Sequence, residues 1–292
     1  MKQGILLAGG LGTRLGPITA SMNKHFLPIY DKPLIYYPLS TMILAGVQKL
    51  VLISTPESID AYRKLLGYGS EFGIDITYVS QLNPEGIPQA ITLAENHLDS
   101  KLGVFLALGD NVIYGPGTGR DMSLYDAVDS AQIFCYSVSN PEKFGVIEMD
   151  EDGNTIDIVE KPSQPKSNLA IVGFYKFPNS VFSYVRDLKK SARNEYEIVD
   201  LIKRYNNESQ LRVNVLPRGS AWLDAGTTEG FIESSQFVRA LQNRQGLLVG
   251  SPHEAAWRVG NISRESLGAI SVKFGTSDYG ILLESTLKNE RS

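Results

Sequence analysis

Two aspartates stand at the ends of apolar runs far apart in the chain: Asp110 closes VFLALGD and Asp224 closes AWLD. Near the start, the stretch GILLAGGLGTRLGP brings Leu7, Gly9, Gly10, Gly12, Thr13 and Arg14 together, and Lys24 follows ten residues after Arg14. A turn poor in Cβ atoms lets backbone N–H groups crowd around an anion, and an arginine at its edge can fork two phosphate oxygens. Paired carboxylates can hold Mg²⁺, which takes one or two carboxylates and completes its shell with phosphate oxygens and water. Together these residue types describe chemistry on phosphates. Taken singly, each has a plainer reading: the turn as a close strand-to-helix crossing, Arg14 and Lys24 as solvated charges, each aspartate as a cap or turn residue.

Two standard phosphate loops do not fit. The dinucleotide fingerprint wants a third glycine where Leu15 stands, and a ribose-binding acid at the end of the second strand, whereas Glu57 arrives too late. An NAD-dependent oxidoreductase is disfavoured on both counts. The ATPase loop wants a lysine directly after its last glycine, and no lysine follows any glycine of this turn.

The elements that must position these residues alternate in the first half. GILLA, KLVLIST, ITYVSQ and VFLALGD read as strands, with a helix from about residue 57 between the second and third. Alternation of this kind predicts a Rossmann-like, mostly parallel α/β sheet flanked by helices, whose ligands lie beyond the carboxyl ends of the strands. The glycine turn after Leu7, Gln81 after TYVS and Asp110 should therefore converge. From Ala131 onward the pattern turns to strands with polar turns, including a hairpin at Glu151-Asp152-Gly153-Asn154, which predicts a smaller β-rich layer. Helices follow at about 179–187, 195–206 and 227–245, the last with Phe231, Ile232, Phe237, Val238 and Leu241 on one face. Short helices are expected after Ser251, so the chain divides into a unit over 1–245 and a C-terminal helical extension over 246–292.

Length and composition set outer limits. At 292 residues the chain can bury a large core without disulfides, and its one cysteine, Cys135, falls in an apolar run as a core residue would. A net charge of −4 with no long basic run argues against a nucleic-acid surface. No apolar run approaches the roughly 20 residues that span a bilayer, so a cytoplasmic location is expected.

The wider segments GGLGTRLGPIT and NKHFLPIYDKPLIYYPL, followed in order by LGDN, EKP, PKSN, SAR and AWLDAGT, resemble the sugar-1-phosphate nucleotidylyltransferases in their long form. Asn23 stands where many relatives have proline or serine. The resemblance implies transfer of a thymidylyl group from dTTP to glucose 1-phosphate with Mg²⁺ as cofactor, at the head of a route to deoxysugars of the cell envelope. It implies Leu7, Gly9, Gly10, Gly12, Thr13, Arg14, Gln81 and Gly86 around the nucleotide, with Arg14 on the β- and γ-phosphates and Gln81 and Gly86 at the base. Lys24 would bridge both substrates, and Asp110 and Asp224 would hold the metal. Lys161 would meet the sugar phosphate with Arg193 close behind, while Glu160, Gly145 and Gly173 would surround the sugar; Phe144 stands where relatives often carry tyrosine, and Asn194 where they usually carry glycine. Thymine and uracil share a hydrogen-bonding edge and differ by a methyl worth about 1–3 kcal/mol of discrimination, so UTP is an alternative donor. An inactive nucleotide-sugar-binding regulator would lack some of Arg14, Lys24, Asp110 and Asp224, and all four are present. The extension resembles one that builds a homotetramer and an effector site for an end-product dTDP-sugar, with Tyr114, Gly115, Gly219, Glu254 and Arg258 at matching positions.

Overall fold

The computed structural model describes residues 2–10, 12–119, 122 and 129–289. The first half runs β1 (Lys2–Leu7), β2 (Pro28–Ile29), β3 (Lys32–Pro33), α1 (Tyr36–Leu44), β4 (Val47–Ser54), α2 (Pro56–Leu66), β5 (Asp75–Ser80), α3 (Ile87–Ala94), β6 (Val104–Leu108) and β7 (Asn111–Tyr114). Then come β8 (Ala131–Ser137), β9 (Gly145–Met149), β10 (Thr155–Glu160), β11 (Leu169–Phe177), α4 (Val181–Asp187), α5 (Ile198–Asn207), β12 (Leu211–Val215) and β13 (Ala221–Asp224). The helices α6 (Thr228–Gln245), α7 (Pro252–Arg258), α8 (Arg264–Phe274) and α9 (Asp278–Asn289) complete the chain.

A nine-stranded sheet has the order β10-β9-β11-β6-β1-β4-β5, with β8 also pairing β11 and β12. The run β6-β1-β4-β5 is parallel, as the alternation of the first half predicts. The long strand β11 lies antiparallel to β6, β8 and β9, and so welds the β-rich layer to the parallel part. Strand alternation sends Leu6, Leu50, Leu52, Phe105 and Ala107 to one face, where α1 and the C-terminal helices cover them. It sends Ile5, Val51, Ile53, Val104 and Leu106 to the other, against α3, α4 and α5. Cys135 is buried in that second layer.

The expected hairpin forms: Asp150 and Asn154 close it, and Gly153 adopts φ 86° at its tip. Helix α6 begins at the Thr227 cap, whose side chain accepts from Gly230 N, and ends at Gly246 in the left-handed conformation. Its inward face holds Val238, Phe231, Phe237 and Leu241. Ile232 does not share it and is 46 % exposed, because it sits about 100° around the helix from Phe231.

The C-terminal helices have no core of their own. Leu267, Ile270, Leu283 and Leu287 belong to the same cluster as Tyr36 and Met42 of α1. A buried polar network fastens the connection: the Lys32 ammonium donates to Asp31 and to Gln242 Oε1 (2.9 Å), Gln242 Nε2 donates to Asp31 (3.0 Å), and Val249 N donates to Gln242 Oε1 (3.0 Å).

Candidate active site

The glycine turn leaves β1 beside the ends of β4 and β6. Ala8 N donates to Ile53 O (2.7 Å) and Gly109 N to Leu7 O (2.9 Å), so the carboxyl ends of three parallel strands meet at one point. Asn23 ties the lysine segment to this point: its Nδ2 donates to Ala8 O (2.9 Å), and its Oδ1 accepts from His25 N (3.1 Å) and caps the single 3-10 turn Lys24–Phe26. Lys24 is buried and forms an ion pair with Asp110 Oδ2, while the other oxygen, Oδ1, accepts from Asn111 Nδ2 (2.9 Å).

Asp224 arrives on β13, which pairs with β7 so that Asp224 faces Asn111, and Ala225 N donates to Asp110 O (3.0 Å). Arg14, exposed on the short helical stretch after the glycine turn, reaches the same place: a Cβ on Gly226 would lie 3.0 Å from Asp224 Oδ1 and 3.1 Å from Arg14 Nη2. The two carboxyls have opposite electrostatics. Burial pushes Asp110 up, but Lys24 and the neighbouring His25 outweigh it and bring its pKa to about 2. Burial and the charge of Asp110 raise Asp224 to about 6, with Lys24 and Arg14 offsetting only part of that. Two acids crowded so that one resists ionisation beside the other form a donor set that a divalent cation would relieve, so the residues fit Mg²⁺. Among the described residues no cluster of three or more His, Cys, Asp or Glu offers a competing cage.

A cleft of about 280 Å³ joins this centre to the β-rich layer, and Arg14, Gly86, Asp110, Gly145, Glu160, Lys161, Gly173, Arg193 and Asp224 all line it. Glu160 ends β10 opposite Gly145, Lys161 follows in a left-handed conformation (φ 45°), and their side chains pair at 3.3 Å. Arg193 is held by Glu197 through Nε (3.1 Å) and Nη2 (2.6 Å) and stands 3.5 Å from Glu160, so the guanidinium is tied to carboxylates.

Leu7, Gly9, Gly10, Gly12, Thr13, Lys24 and Gln81 stand outside the lining. Gln81 is buried under the glycine turn, and a Cβ on Gly9 would meet its Oε1 at 2.6 Å. Gly10 lies over Lys24, and Gly12 takes φ 62° where the chain enters Thr13.

Two glycines serve a neighbouring side chain or backbone. A Cβ on Gly173 would fall 2.7 Å from the Asn111 amide, and one on Gly86 (φ 103°) would fall 2.1 Å from Tyr196 O. Asn111 was not singled out from sequence. It is buried, and its Oδ1 accepts from Gly173 N (2.9 Å) and Trp222 Nε1 (2.6 Å) while its Nδ2 holds Asp110. The one signal available was its place directly after a strand-ending aspartate. Phe144 packs edge-on against Trp222 at the cleft wall.

A second cavity, about 220 Å³, lies between α1, β7 and the start of α7. Tyr114, Gly115, Glu254 and Arg258 line it; Gly219 does not, being exposed on its turn, although the adjacent Ser220 packs against Gly115.

Comparison with known proteins gives this geometry a family. The nucleotidyl transferase model matches residues 3–240. A glucose-1-phosphate thymidylyltransferase of Mycolicibacterium smegmatis is 47% identical over 288 residues, 99% of this chain and 100% of its own length. One from Neisseria meningitidis is 43% identical over 287 residues, 98% of this chain and 99% of its own. Among solved structures, a Bacillus anthracis protein described as a glucose-1-phosphate thymidylyltransferase, in complex with a sucrose, superposes with TM-score 0.76 at 34% identity, covering 82% of this chain and 96% of that one. A UDP-glucose pyrophosphorylase complexed with UDP-glucose gives TM-score 0.72 at 26% identity, covering 82% and 99%. With a family model over most of its length and near-full-length relatives well above 30% identity, the chain belongs to the nucleotidyl transferase family, in the group of the glucose-1-phosphate thymidylyltransferases.

Proposed function

We propose that the protein transfers a thymidylyl group from dTTP to glucose 1-phosphate, giving dTDP-glucose and pyrophosphate, with Mg²⁺ as cofactor. The supporting observation is one cleft lined by Arg14, Asp110, Asp224, Glu160 and Lys161, with Lys24 paired to Asp110 just behind the wall. In the reaction an oxygen of the sugar phosphate bonds to the α-phosphorus of dTTP as the bond to the pyrophosphate oxygen breaks, and no proton need move. Such a transfer is catalysed by alignment and charge neutralisation. Arg14 takes the departing β- and γ-phosphates, Lys24 stands between the two anionic substrates, and Lys161, with Arg193 behind it, receives the sugar phosphate. Gln81 and Gly86 meet the base; Glu160, Gly145 and Gly173 surround the sugar. Asp110 and Asp224 would hold the Mg²⁺, which when bound draws negative charge off the phosphates. Pyrophosphate release from dTTP plus glucose 1-phosphate should require the metal and stop under EDTA; no release with either dTTP or UTP would reject the assignment.

A second donor, UTP, has support in the likeness to the UDP-glucose enzyme, and initial rates with the two nucleotides side by side decide between them. The cavity at Tyr114, Gly115, Glu254 and Arg258 is the place we assign to an end-product dTDP-sugar, within a homotetramer built through the C-terminal helices. Titration with dTDP-rhamnose that gives neither binding nor inhibition removes the effector role, and a monomer in sedimentation removes the assembly. No described helix is long and apolar enough to cross a membrane, and the cytoplasm, where nucleoside triphosphates are made, is where we place the reaction.

A further inference from the structure

A glutamine amide by itself cannot tell a keto pyrimidine from cytosine. Thymine and uracil present a ring N–H beside a carbonyl oxygen; cytosine presents a ring acceptor beside an amino group. The two edges are inverses, and an amide matches either one by rotating half a turn about its last torsion. Discrimination at Gln81 therefore has to come from whatever stops that rotation.

The surroundings of Gln81 contain such a device. Gln81 Nε2 donates to Gln89 Oε1 at 2.5 Å. The orientation of Gln89 follows from partners with only one role each: its Oε1 also accepts from the backbone N–H of Glu85 (3.0 Å), which can only donate, and its Nε2 donates to the Glu85 carboxylate (3.2 Å), which at neutral pH can only accept. That carboxylate is in turn held by the Lys190 ammonium at 2.6 Å. Each link fixes the next. Rotating Gln81 would set its carbonyl oxygen against Gln89 Oε1, two acceptors with no hydrogen between them in a buried place, where an unmade hydrogen bond is expensive. With the amide locked, Oε1 faces the glycine turn at Gly9 and the second Nε2 hydrogen remains for a carbonyl. This is the pattern that thymine and uracil complete. Gln81 is only 2 % exposed, with Gly9 packed against its Oε1.

We infer that Gln89, backed by Glu85 and Lys190, is a specificity-determining positioning residue that locks the Gln81 amide in the orientation accepting a ring N–H and so excludes cytosine nucleotides. The inference rests on the reading that Gln81 meets the base. The test is kcat/KM for dTTP, UTP and dCTP with glucose 1-phosphate in the wild type, Gln81→Ala, Gln89→Met and Lys190→Met. Freed from its lock, Gln81 in Gln89→Met should lower the dTTP:dCTP ratio by about tenfold or more, while dTTP and UTP keep their ratio and the KM for glucose 1-phosphate stays within about twofold of the wild type. Lys190→Met should shift the ratio in the same direction by less. An equal fall for all nucleotides in Gln89→Met, with the ratio collapsing only in Gln81→Ala, overturns the role of Gln89 and leaves that of Gln81 intact. If Gln81→Ala preserves the ratio, the reading of Gln81 itself fails and the inference goes with it. Should Gln89→Met melt below the assay temperature, Lys190→Met decides, and an unchanged ratio there overturns the inference.

Discussion

The two acids at the centre of the cleft predict opposite consequences for amidation. Asp110 is held near pKa 2 by Lys24 and His25 against the pull of burial, so Asp110→Asn leaves a buried ammonium without its partner and should destabilise the fold by about 3 kcal/mol. Asp224 is raised to about 6 by burial and by Asp110. Between the ordinary carboxylate range and pH 6 the native protein keeps a proton that the unfolded chain has released, so this group makes stability fall as pH rises, with its full effect above pH 6. Asp224→Asn should remove that penalty, raising the melting temperature of the chelator-treated protein at pH 7.5 but not at pH 4, while turnover falls by about 100-fold or more. Melting curves at the two pH values, beside the pyrophosphate assay, check both variants. Arg14, Lys24, Asp110 and Asp224 stood out in the sequence only as members of a motif series, since each alone reads as a cap, a turn or a solvated charge, and the structure brings the four to one place. Asn111 and Gln89 did not stand out, since their hydrogen bonds run to residues distant in the chain (Trp222 and Gly173) or across a loop from the helix to an amide directly after β5 (Gln81).

At the level of elements, the strands of the parallel half follow from short, continuous apolar runs alternating with helix-length segments, and the structure keeps them. Prediction was weaker where packing decides. Ile232 shares the apolar composition of α6 but lies on a different face, and Arg193 faces carboxylates brought in by β10 and α5. The joint between α7 and the single turn Ser70–Phe72 has a pH signature of its own. His253 is buried among Tyr36, Phe72, Phe274 and Tyr279, shares a hydrogen bond with the Tyr279 hydroxyl through Nδ1 (2.7 Å) and lies 3.5 Å from Glu71. Burial lowers its pKa to about 4 although Glu71 favours the charged form. The unfolded chain takes up the proton first as pH falls, so this group's contribution makes stability decline from about pH 6.5 toward pH 4, against the opposite contribution of Asp224. Measured in the Asp224→Asn background, which removes the opposing contribution, His253→Phe should reduce that decline in a melting series, and the buried His25, lowered to about 3, acts in the same direction.

Across the whole molecule, the C-terminal helices complete the layer over α1, although the sequence read as an appendage. Cutting the chain after Gln245 would remove the burial of Leu267, Ile270, Leu283 and Leu287 and bare Tyr36 and Met42. At roughly 1.5–3 kcal/mol for each aliphatic side chain, the loss is comparable to the stability of an entire domain. The truncated protein should lose cooperative melting and elute as aggregate in gel filtration. A helix end near residue 245 followed by short helices marks where the backbone changes direction, but it carries no information on whether the following helices share a core.

The segment after Gln81 and the segment carrying Arg193 are stitched to each other: Tyr196 N donates to Glu85 O (2.8 Å), Lys190 bridges to the Glu85 side chain, and Gly86 leaves no gap against Tyr196. Two walls sewn along one seam cannot part at one end alone. The first guest to settle would therefore stiffen the berth of the second, and occupancy of either compartment should tighten the other without any contact between the guests.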